Sequence, residues 1–282
     1  MKDFFPIVTI MLCIALSGCK PETDSPEKKQ GTVVIIPDLY SPELNTEHNV
    51  LRIYLPYDHE SSNKSYPVVY MPDGQNLFSS STATYGKSWL AGNLLDRLTR
   101  EGKTEGIILV GIDSTSQRTK EYNLYLDDLS ENREGLADET CDFYVNTVKP
   151  YVDNHYRTLP DKNHTAMIGA SYGAVLSINA AVRYPDTFGF FGLFSYCDNQ
   201  NPALMSAFLE ENLIPEIFAE HRFYFFTATY DFARSSTHSA FDIAEKNGLE
   251  NIILEEDEQG QHDEYTWGPA LENCLDFFGW LQ

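Results

Sequence analysis

Apolar and polar residues alternate along the chain in a pattern that predicts strands separated by helices. Residues 67–71 and 107–112 are continuous apolar runs, which are typical of strands buried on both faces of a sheet. Residues 89–98 and 138–152 carry apolar side chains at helical spacing. Further predicted strands are residues 32–36, 50–55, 165–168, 190–194, 223–227 and 252–254, and further predicted helices are residues 174–181, 239–246 and 269–280. This alternation predicts a single α/β domain with a mostly parallel central sheet, helices on both faces and an antiparallel pair at its start.

The first residues differ in character from this pattern. Lys2 precedes an apolar stretch at residues 7–16, which is shorter than the roughly 20 residues that a membrane span needs. The stretch ends in Leu-Ser-Gly-Cys and is similar to a bacterial lipoprotein signal, so residues 1–18 are interpreted as a signal peptide and Cys19 as the lipidated residue. Residues 19–31, rich in Pro, Glu, Lys and Ser, are expected to form a flexible tether before the α/β domain at residues 32–282. The alternative is a buried N-terminal helix, which the polar tether disfavours.

The excess of acidic residues argues against some classes of binding partner. The chain has 42 acidic and 20 basic residues and a net charge of −22, which argues against a nucleic-acid binder and against adsorption to an anionic membrane. Attachment to a membrane is therefore expected only through the lipid, with the protein exported to the periplasm or cell surface. After removal of the signal and modification of Cys19, three cysteines remain: Cys141, Cys197 and Cys274. They form neither a zinc motif nor a disulfide framework, and whether two of them pair is left open.

The strongest chemical signal lies between a predicted strand and a predicted helix. Gly169, Ser171 and Gly173 form a G-x-S-x-G sequence there. In this context the serine is expected on a sharp turn, with its hydroxyl exposed at a helix N-terminus where backbone N–H groups favour a developing anion. The alternative is that Ser171 only caps the helix. The context favours a nucleophile.

A serine nucleophile needs a histidine that takes its proton, and His262 is the best placed candidate. It follows the last predicted strand, and the loops that follow parallel strands meet at one edge of the sheet, where Ser171 is also expected. His238, at the start of a predicted helix, is the weaker alternative. The histidine needs an acid from another such loop, and Asp231, just beyond the strand at residues 223–227, is preferred. Asp198 and the more distant Asp257 are the rivals.

The tetrahedral intermediate of acyl transfer needs two donors for its oxyanion. One is expected to be the backbone N–H of Tyr172, directly after the nucleophile. The second is expected from the loop after the strand at residues 67–71, where the backbone of Gln75 is the candidate. The alternative is that this loop is an ordinary turn.

Several segments together resemble the esterase family of the α/β-hydrolase superfamily, over most of the chain from residue 50 onwards. They are residues 66–78 (YPVVYMPDGQNLF), 110–113 (VGID), 121–122, 149–152, 156–158, the serine turn, 184–189 (YPDTFG) and the segment around His262. The resemblance implies an α/β-hydrolase fold, with Ser171 as nucleophile, Asp231 as acid and His262 as base, and with no metal or cofactor. The family includes feruloyl and acetyl xylan esterases, siderophore esterases and S-formylglutathione hydrolases. Tyr172 and Thr229 depart from its usual sequence, without removing a catalytic group.

We therefore expect a serine esterase that acts through an acyl-enzyme on acetyl or feruloyl groups of a carbohydrate or another small ester. Four aromatic residues are candidates for its substrate pocket: Phe78, Trp89, Tyr196 and Trp267. A siderophore trilactone esterase is the alternative substrate class. A non-catalytic binding lipoprotein that keeps the fold and a peptidase are alternatives of other kinds. Oligomeric state stays open.

Overall fold

The computed structural model describes residues 30–126 and 135–282, and it gives the backbone alone for residues 47 and 48. The predicted signal peptide, Cys19 and all but the end of the predicted tether lie outside the described residues. None of the helices in the described ranges combines the length and apolar character that crossing a bilayer requires.

The described residues form one eight-stranded sheet in the order β1-β2-β4-β3-β5-β6-β7-β8. The strands are β1 (Thr32–Ser41), β2 (Thr46–Leu55), β3 (Val68–Pro72), β4 (Ile108–Ile112), β5 (Thr165–Ala170), β6 (Phe190–Phe194), β7 (Arg222–Tyr230) and β8 (Ile252–Gln261). β1 pairs with β2, and β2 with β4, in antiparallel fashion, and all other pairs are parallel. The predicted antiparallel start and parallel remainder of the sheet are confirmed.

Helices cover both faces of this sheet, as the strand and helix alternation predicts. In the described chain they are α1 (Ala91–Arg100), α2 (Arg118–Tyr122), α3 (Ala137–Phe143), α4 (Lys149–His155), α5 (Tyr172–Arg183), α6 (Pro202–Asn212), α7 (Pro215–Phe218), α8 (Arg234–Lys246) and α9 (Glu264–Phe277). A π-helical turn, Tyr144–Val148, joins α3 to α4. Side chains of α1 and α9 pack in one core cluster, and those of α3, α5, α6 and α8 pack in the other.

The central strands are buried because their side chains are apolar on both faces. All residues of β3, β4 and β5 are buried, as the continuous apolar runs predict for β3 and β4. The three described cysteines, Cys141, Cys197 and Cys274, are free thiols in buried positions. No pair of them forms a disulfide.

Several elements differ from the prediction. β8 runs seven residues beyond the predicted end at residue 254, through a polar segment, because it is an edge strand whose side chains face solvent. α9 begins at Glu264 instead of residue 269, because the side chain of Asp263 caps it by accepting from the Thr266 N–H at 3.1 Å. Pro269 therefore lies inside the helix. The short helices α2 and α7 and the longer helix α6 were not predicted.

The described chain begins at the edge of the sheet, on the side where the parallel strands start. Thr32 pairs with Leu55, and the adjacent residue Tyr54 pairs with Leu109 near the start of β4. The Gly31 N–H donates to Asp96 Oδ1 of α1 at 2.7 Å. The N-terminal segment thus enters the fold opposite the edge where β5, β7 and β8 end.

Candidate active site

Ser171, Asp231 and His262 come together at the carboxyl edge of the sheet. Each directly follows a strand: Ser171 follows β5, Asp231 follows β7 and His262 follows β8. Ser171 and His262 line the same cavity, whose volume is about 620 Å³, and Asp231 lies behind the imidazole. The sheet topology therefore brings together three residues that are up to 91 positions apart in sequence, since 262 − 171 = 91.

Ser171 occupies a strained turn between β5 and α5. Its backbone has φ 58° and ψ −126°, and its N–H donates to Phe194 O on the neighbouring strand at 2.9 Å. Both flanking glycines are required by close approach: a Cβ on Gly169 would lie 2.1 Å from Gly173 O, and one on Gly173 would lie 2.9 Å from Pro72 Cγ. The turn holds Ser171 at the N-terminus of α5 and on the cavity wall.

Asp231 and His262 form a buried hydrogen-bonded pair. His262 Nδ1 lies 2.7 Å from Asp231 Oδ1, and the carboxylate side chain is fully buried. Burial acts to raise the pKa of Asp231, but hydrogen bonds from His262 and Ser195 outweigh it and lower the pKa below its usual value. Asp231 is therefore ionised at neutral pH, and it orients His262 with Nδ1 as the donor and Nε2 free for the cavity.

Aromatic side chains fix the imidazole plane from two sides. The Phe232 ring lies 4.0 Å from the His262 ring, at an interplanar angle of 30°, and the Trp267 ring meets it edge-on at 5.0 Å and 82°. Phe232 is 71% exposed, so it forms part of the rim of the cavity.

The rival acids and the rival base lie in other environments. His238 Nε2 pairs with Glu256 Oε2 at 3.0 Å, and His238 is not among the cavity-lining residues. Asp198 is buried, which raises its pKa, and its Oδ1 has no hydrogen-bond partner. Asp257 lies within β8, where it accepts the N–H groups of Gln259 and Gly260. Among these carboxylates Asp231 is the one bonded to His262.

Tyr172 and Gln75, the predicted oxyanion donors, both line the cavity. Tyr172 is the first residue of α5 and Gln75 lies in a single 3₁₀ turn, Gly74–Asn76, so neither backbone N–H has an acceptor within its own helix. The Gln75 side chain holds this turn against the loop after β4: its Nε2 donates to Ser114 Oγ at 2.9 Å, and its Oε1 accepts from Ser114 N at 3.0 Å.

An ion pair supports the same turn from the other side. Asp73, which precedes the turn in a left-handed conformation with φ 60°, accepts two hydrogen bonds of 2.7 Å from Arg118. The guanidinium also lies over the rings of Tyr122 and Tyr172, at 5.0 Å and 5.5 Å. Arg118 thereby links the Gln75 turn to the turn that carries Ser171.

The four aromatic pocket candidates divide into two pairs. Trp89 and Trp267 line the cavity, with ring centroids 5.8 Å apart. Phe78 and Tyr196 do not: Phe78 packs against the core cluster of α1 and α9, and Tyr196 is fully buried in the opposite cluster. The expectation was wrong for these two because nearness in sequence to a site loop does not reveal on which side of the backbone a ring lies.

Several cavity residues were missed by the sequence-based prediction. Tyr85, which is 84% exposed, stands at the rim. Glu264 is buried in the wall, which raises its pKa, and its Oε1 accepts from Asn76 Nδ2 at 2.9 Å. This bond ties the Gln75 turn to the start of α9. Glu264 follows His262 by two positions, and that proximity was the one available signal.

The two cationic side chains of the cavity wall, Arg118 and Lys87, are each paired with a carboxylate. Arg118 is bound by Asp73, and Lys87 Nζ is bound by Asp263 Oδ2. Glu264 adds a third carboxylate to the wall. Among the described lining residues no cation is left without a carboxylate partner. In the described ranges, no three His, Cys, Asp or Glu side chains converge as a metal site would require.

Comparison with known proteins identifies a family. The sequence model of the family "Putative esterase" matches residues 41–212. An endo-1,4-beta-xylanase/feruloyl esterase of Xylanibacter ruminicola is 29% identical over 147 residues, which are 51% of this chain. The chain spans only part of the curated relatives that it matches, 19% of this one and 54% of another.

Solved structures share the fold at low sequence identity. A ferulic acid esterase superposes with a TM-score of 0.70 at 20% identity, covering 89% of this chain and 98% of its own. The enterobactin esterase of Shigella flexneri superposes with a TM-score of 0.67 at 16% identity, covering 90% of this chain and 62% of its own. These similarities establish the α/β-hydrolase fold, and they include enzymes named for two different substrates.

Proposed function

Because the chain belongs to the esterase family, we propose that it is a carboxylic ester hydrolase and that it cleaves its substrate through an acyl-enzyme formed on Ser171. The observation that carries the proposal is the 2.7 Å hydrogen bond between His262 Nδ1 and the buried carboxylate of Asp231. His262 and Ser171 line the same cavity. This arrangement supports Ser171 as the proposed nucleophile, His262 as its base and Asp231 as the group that orients the base.

In the proposed reaction His262 Nε2 takes the proton of the Ser171 hydroxyl as Oγ attacks the ester carbonyl carbon. The carbonyl oxygen becomes an oxyanion, which accepts hydrogen bonds from the backbone N–H groups of Tyr172 and Gln75. When the intermediate collapses, the C–O bond to the alcohol breaks and His262 returns the proton to the departing oxygen. Water then attacks the acyl-enzyme with the same base and releases the carboxylic acid and free Ser171.

The proposed substrate is a neutral ester, with an acetyl or feruloyl group on a carbohydrate as the preferred class. Both cations of the cavity are paired with carboxylates, so an anionic substrate would meet Glu264 without a free positive charge to compensate. Trp89, Trp267 and the exposed rings of Tyr85 and Phe232 offer apolar faces on which a sugar or a phenolic ring can stack. A trilactone siderophore, which is negatively charged when it holds iron, fits this charge pattern less well.

A panel of esters tests this proposal. We expect kcat/KM for an acetylated or feruloylated oligosaccharide to exceed that for a catecholate trilactone by about tenfold or more, because like charges brought together are costly. Asp263→Asn is a matched variant: asparagine also caps α9, but it leaves Lys87 without its carboxylate, so the preference should move toward the anionic ester. If the trilactone ranks first with the unchanged protein, the substrate class proposed here is wrong.

We also propose that the enzyme is exported and anchored to a bacterial membrane through lipid on Cys19, which lies outside the described residues. The support is the sequence at residues 1–19 alone. Cells that express the full chain with labelled palmitate should yield labelled protein, and Cys19→Ala should yield none. Label that persists in the Cys19→Ala protein would refute the anchor.

A further inference from the structure

A chain of buried hydrogen bonds continues from the proposed catalytic acid, Asp231, to two residues that take part in none of the bond-making or proton-transfer steps described above. The Trp267 Nε1–H donates to Ser195 Oγ at 2.7 Å, and the Ser195 hydroxyl donates to Asp231 Oδ2. We propose that Ser195 and Trp267 are positioning residues, which hold the Asp231 carboxylate in the orientation that His262 requires. This inference rests on the proposed function of Asp231 and His262.

The direction of each bond follows from the chemistry of the groups. An indole nitrogen can only donate, so Ser195 Oγ must be the acceptor of the Trp267 bond. The single hydroxyl proton of Ser195 is then available for Asp231 Oδ2. Oδ1 of the same carboxylate receives His262 Nδ1 and the Ala233 N–H, both at 2.7 Å. Both carboxylate oxygens are thus bonded, and rotation of the carboxylate would break bonds on either side.

The backbone conformation of Ser195 is energetically unfavourable for serine, which indicates that the fold holds this residue in one particular position. Ser195 directly follows β6 and has φ 50°, a left-handed conformation that serine seldom adopts. Its N–H donates to Phe226 O of β7 at 2.7 Å, and the residue is fully buried. This conformation directs the hydroxyl across the sheet toward the loop after β7, where Asp231 lies.

Trp267 links the network to the base as well as to the acid. Its indole N–H binds Ser195, while its ring meets the His262 ring edge-on at 5.0 Å. It is 5% exposed, so water does not compete for its N–H. Trp267 therefore constrains both members of the Asp231–His262 pair. Because Trp267 also lines the cavity, a change in the cavity wall at this position would also disturb the geometry of the pair.

The test compares Ser195→Ala with Ser41→Ala in the full chain. Ser41 is also fully buried and its hydroxyl also donates to a carboxylate, Glu43 Oε2 at 3.3 Å, but it ends β1 on the opposite edge of the sheet. We expect Ser195→Ala to lower kcat about 10- to 100-fold, the kinetic equivalent of losing one hydrogen bond to a charged group, with KM changed less than about twofold. Ser41→Ala should retain the kcat of the unchanged protein. Equal kcat values for the two variants would overturn the proposal.

A double-mutant cycle separates positioning from general disruption. If Ser195 acts through Asp231, then Ser195→Ala should change the residual kcat of an Asp231→Asn protein by less than about twofold. The same 10- to 100-fold loss in that background would contradict the proposal. Trp267→Phe, which keeps a ring and removes the donor, should lower kcat about 3- to 10-fold and should not add to Ser195→Ala. It replaces Ser195→Ala in the test if that variant fails to fold.

A spectroscopic measurement tests the network without any substrate. The His262 Nδ1–H proton, bonded to Asp231, should give a low-field proton resonance in the unchanged protein and in Ser41→Ala. We expect this resonance to shift or broaden in Ser195→Ala and to disappear in Asp231→Asn. An unchanged resonance in Ser195→Ala would refute the positioning role. Absence of ester turnover in the unchanged protein would instead refute the proposed function, so the two failures can be distinguished.

Discussion

Replacing Ser171 by alanine is expected to lower kcat for ester hydrolysis by about 10⁴- to 10⁶-fold, which is the range found when a nucleophile of this kind is removed. In the proposed reaction this hydroxyl supplies the atom that becomes acylated, and no other described serine or threonine stands at the N-terminus of α5 within the cavity. Covalent labelling by a fluorophosphonate should also be lost. The comparison uses the full chain and one neutral ester, with circular dichroism to verify the fold. Turnover equal to that of the unchanged protein would exclude Ser171 as the nucleophile.

Ser171→Gly is the matched variant for this experiment. Ser171 has φ 58°, where alanine remains strained and glycine does not. Both variants should be inactive, but Ser171→Gly should unfold at the higher temperature, because relief of about 1–3 kcal/mol of strain exceeds the added chain entropy of about 0.4–1 kcal/mol. Thermal unfolding followed by circular dichroism measures the difference. A lower midpoint for the glycine variant would show that the turn at Ser171 carries no strain.

Replacing Asp231 by asparagine should reduce kcat by about 10⁴-fold while leaving the fold intact. The substitution removes the negative charge that stabilises the imidazolium in the proposed reaction. The amide NH₂ would also face either His262 Nδ1 or the Ser195 hydroxyl, and both are donors in the present arrangement. Facing His262, the amide favours the tautomer in which Nε2 carries the proton and cannot act as the base.

Asp198→Asn is the control for that variant. Asp198 follows β6 as Asp231 follows β7, and it is also buried, but its carboxylate is not bonded to His262. Asp198→Asn should retain activity within about a few-fold, as expected of a residue outside the catalytic hydrogen bonds. Parallel measurements of kcat for the two variants decide the assignment. A larger loss from Asp198→Asn would transfer the role of the acid to that residue.

Much of the framework could be predicted because the responsible forces are local. Burial on both faces makes β3 and β4 continuous apolar runs, which are recognisable in the sequence. The close approach of strand and helix requires glycine at positions 169 and 173, and these glycines form a recognisable motif around Ser171. The order of strands then placed the loops that carry Asp231 and His262 at one edge. The polar half of β8 could not be predicted in this way, because it is held by pairing with β7 on one side only.

The details of the site depend on contacts between distant parts of the chain. Trp267 was predicted to line the pocket, and it does, but its bond to Ser195 joins residues 72 positions apart and has no local signal. Tyr196, the next residue after Ser195, was expected at the pocket and is buried in the core. The left-handed backbone at Ser195 explains both positions, since it directs the serine toward Asp231. No propensity indicates such a conformation for serine.

The position of Gly31 determines on which side of the domain an N-terminal attachment lies. Its bond to Asp96 secures the first described residues at the amino ends of the parallel strands, whereas the cavity opens at their carboxyl ends. A resin or a fusion partner joined directly at Gly31 would therefore stand behind the domain, on the side away from the cavity. A protein immobilised directly at that end keeps the opening of its cavity toward bulk solution. A polymeric substrate too large to enter the pores of the support can therefore still reach the cavity.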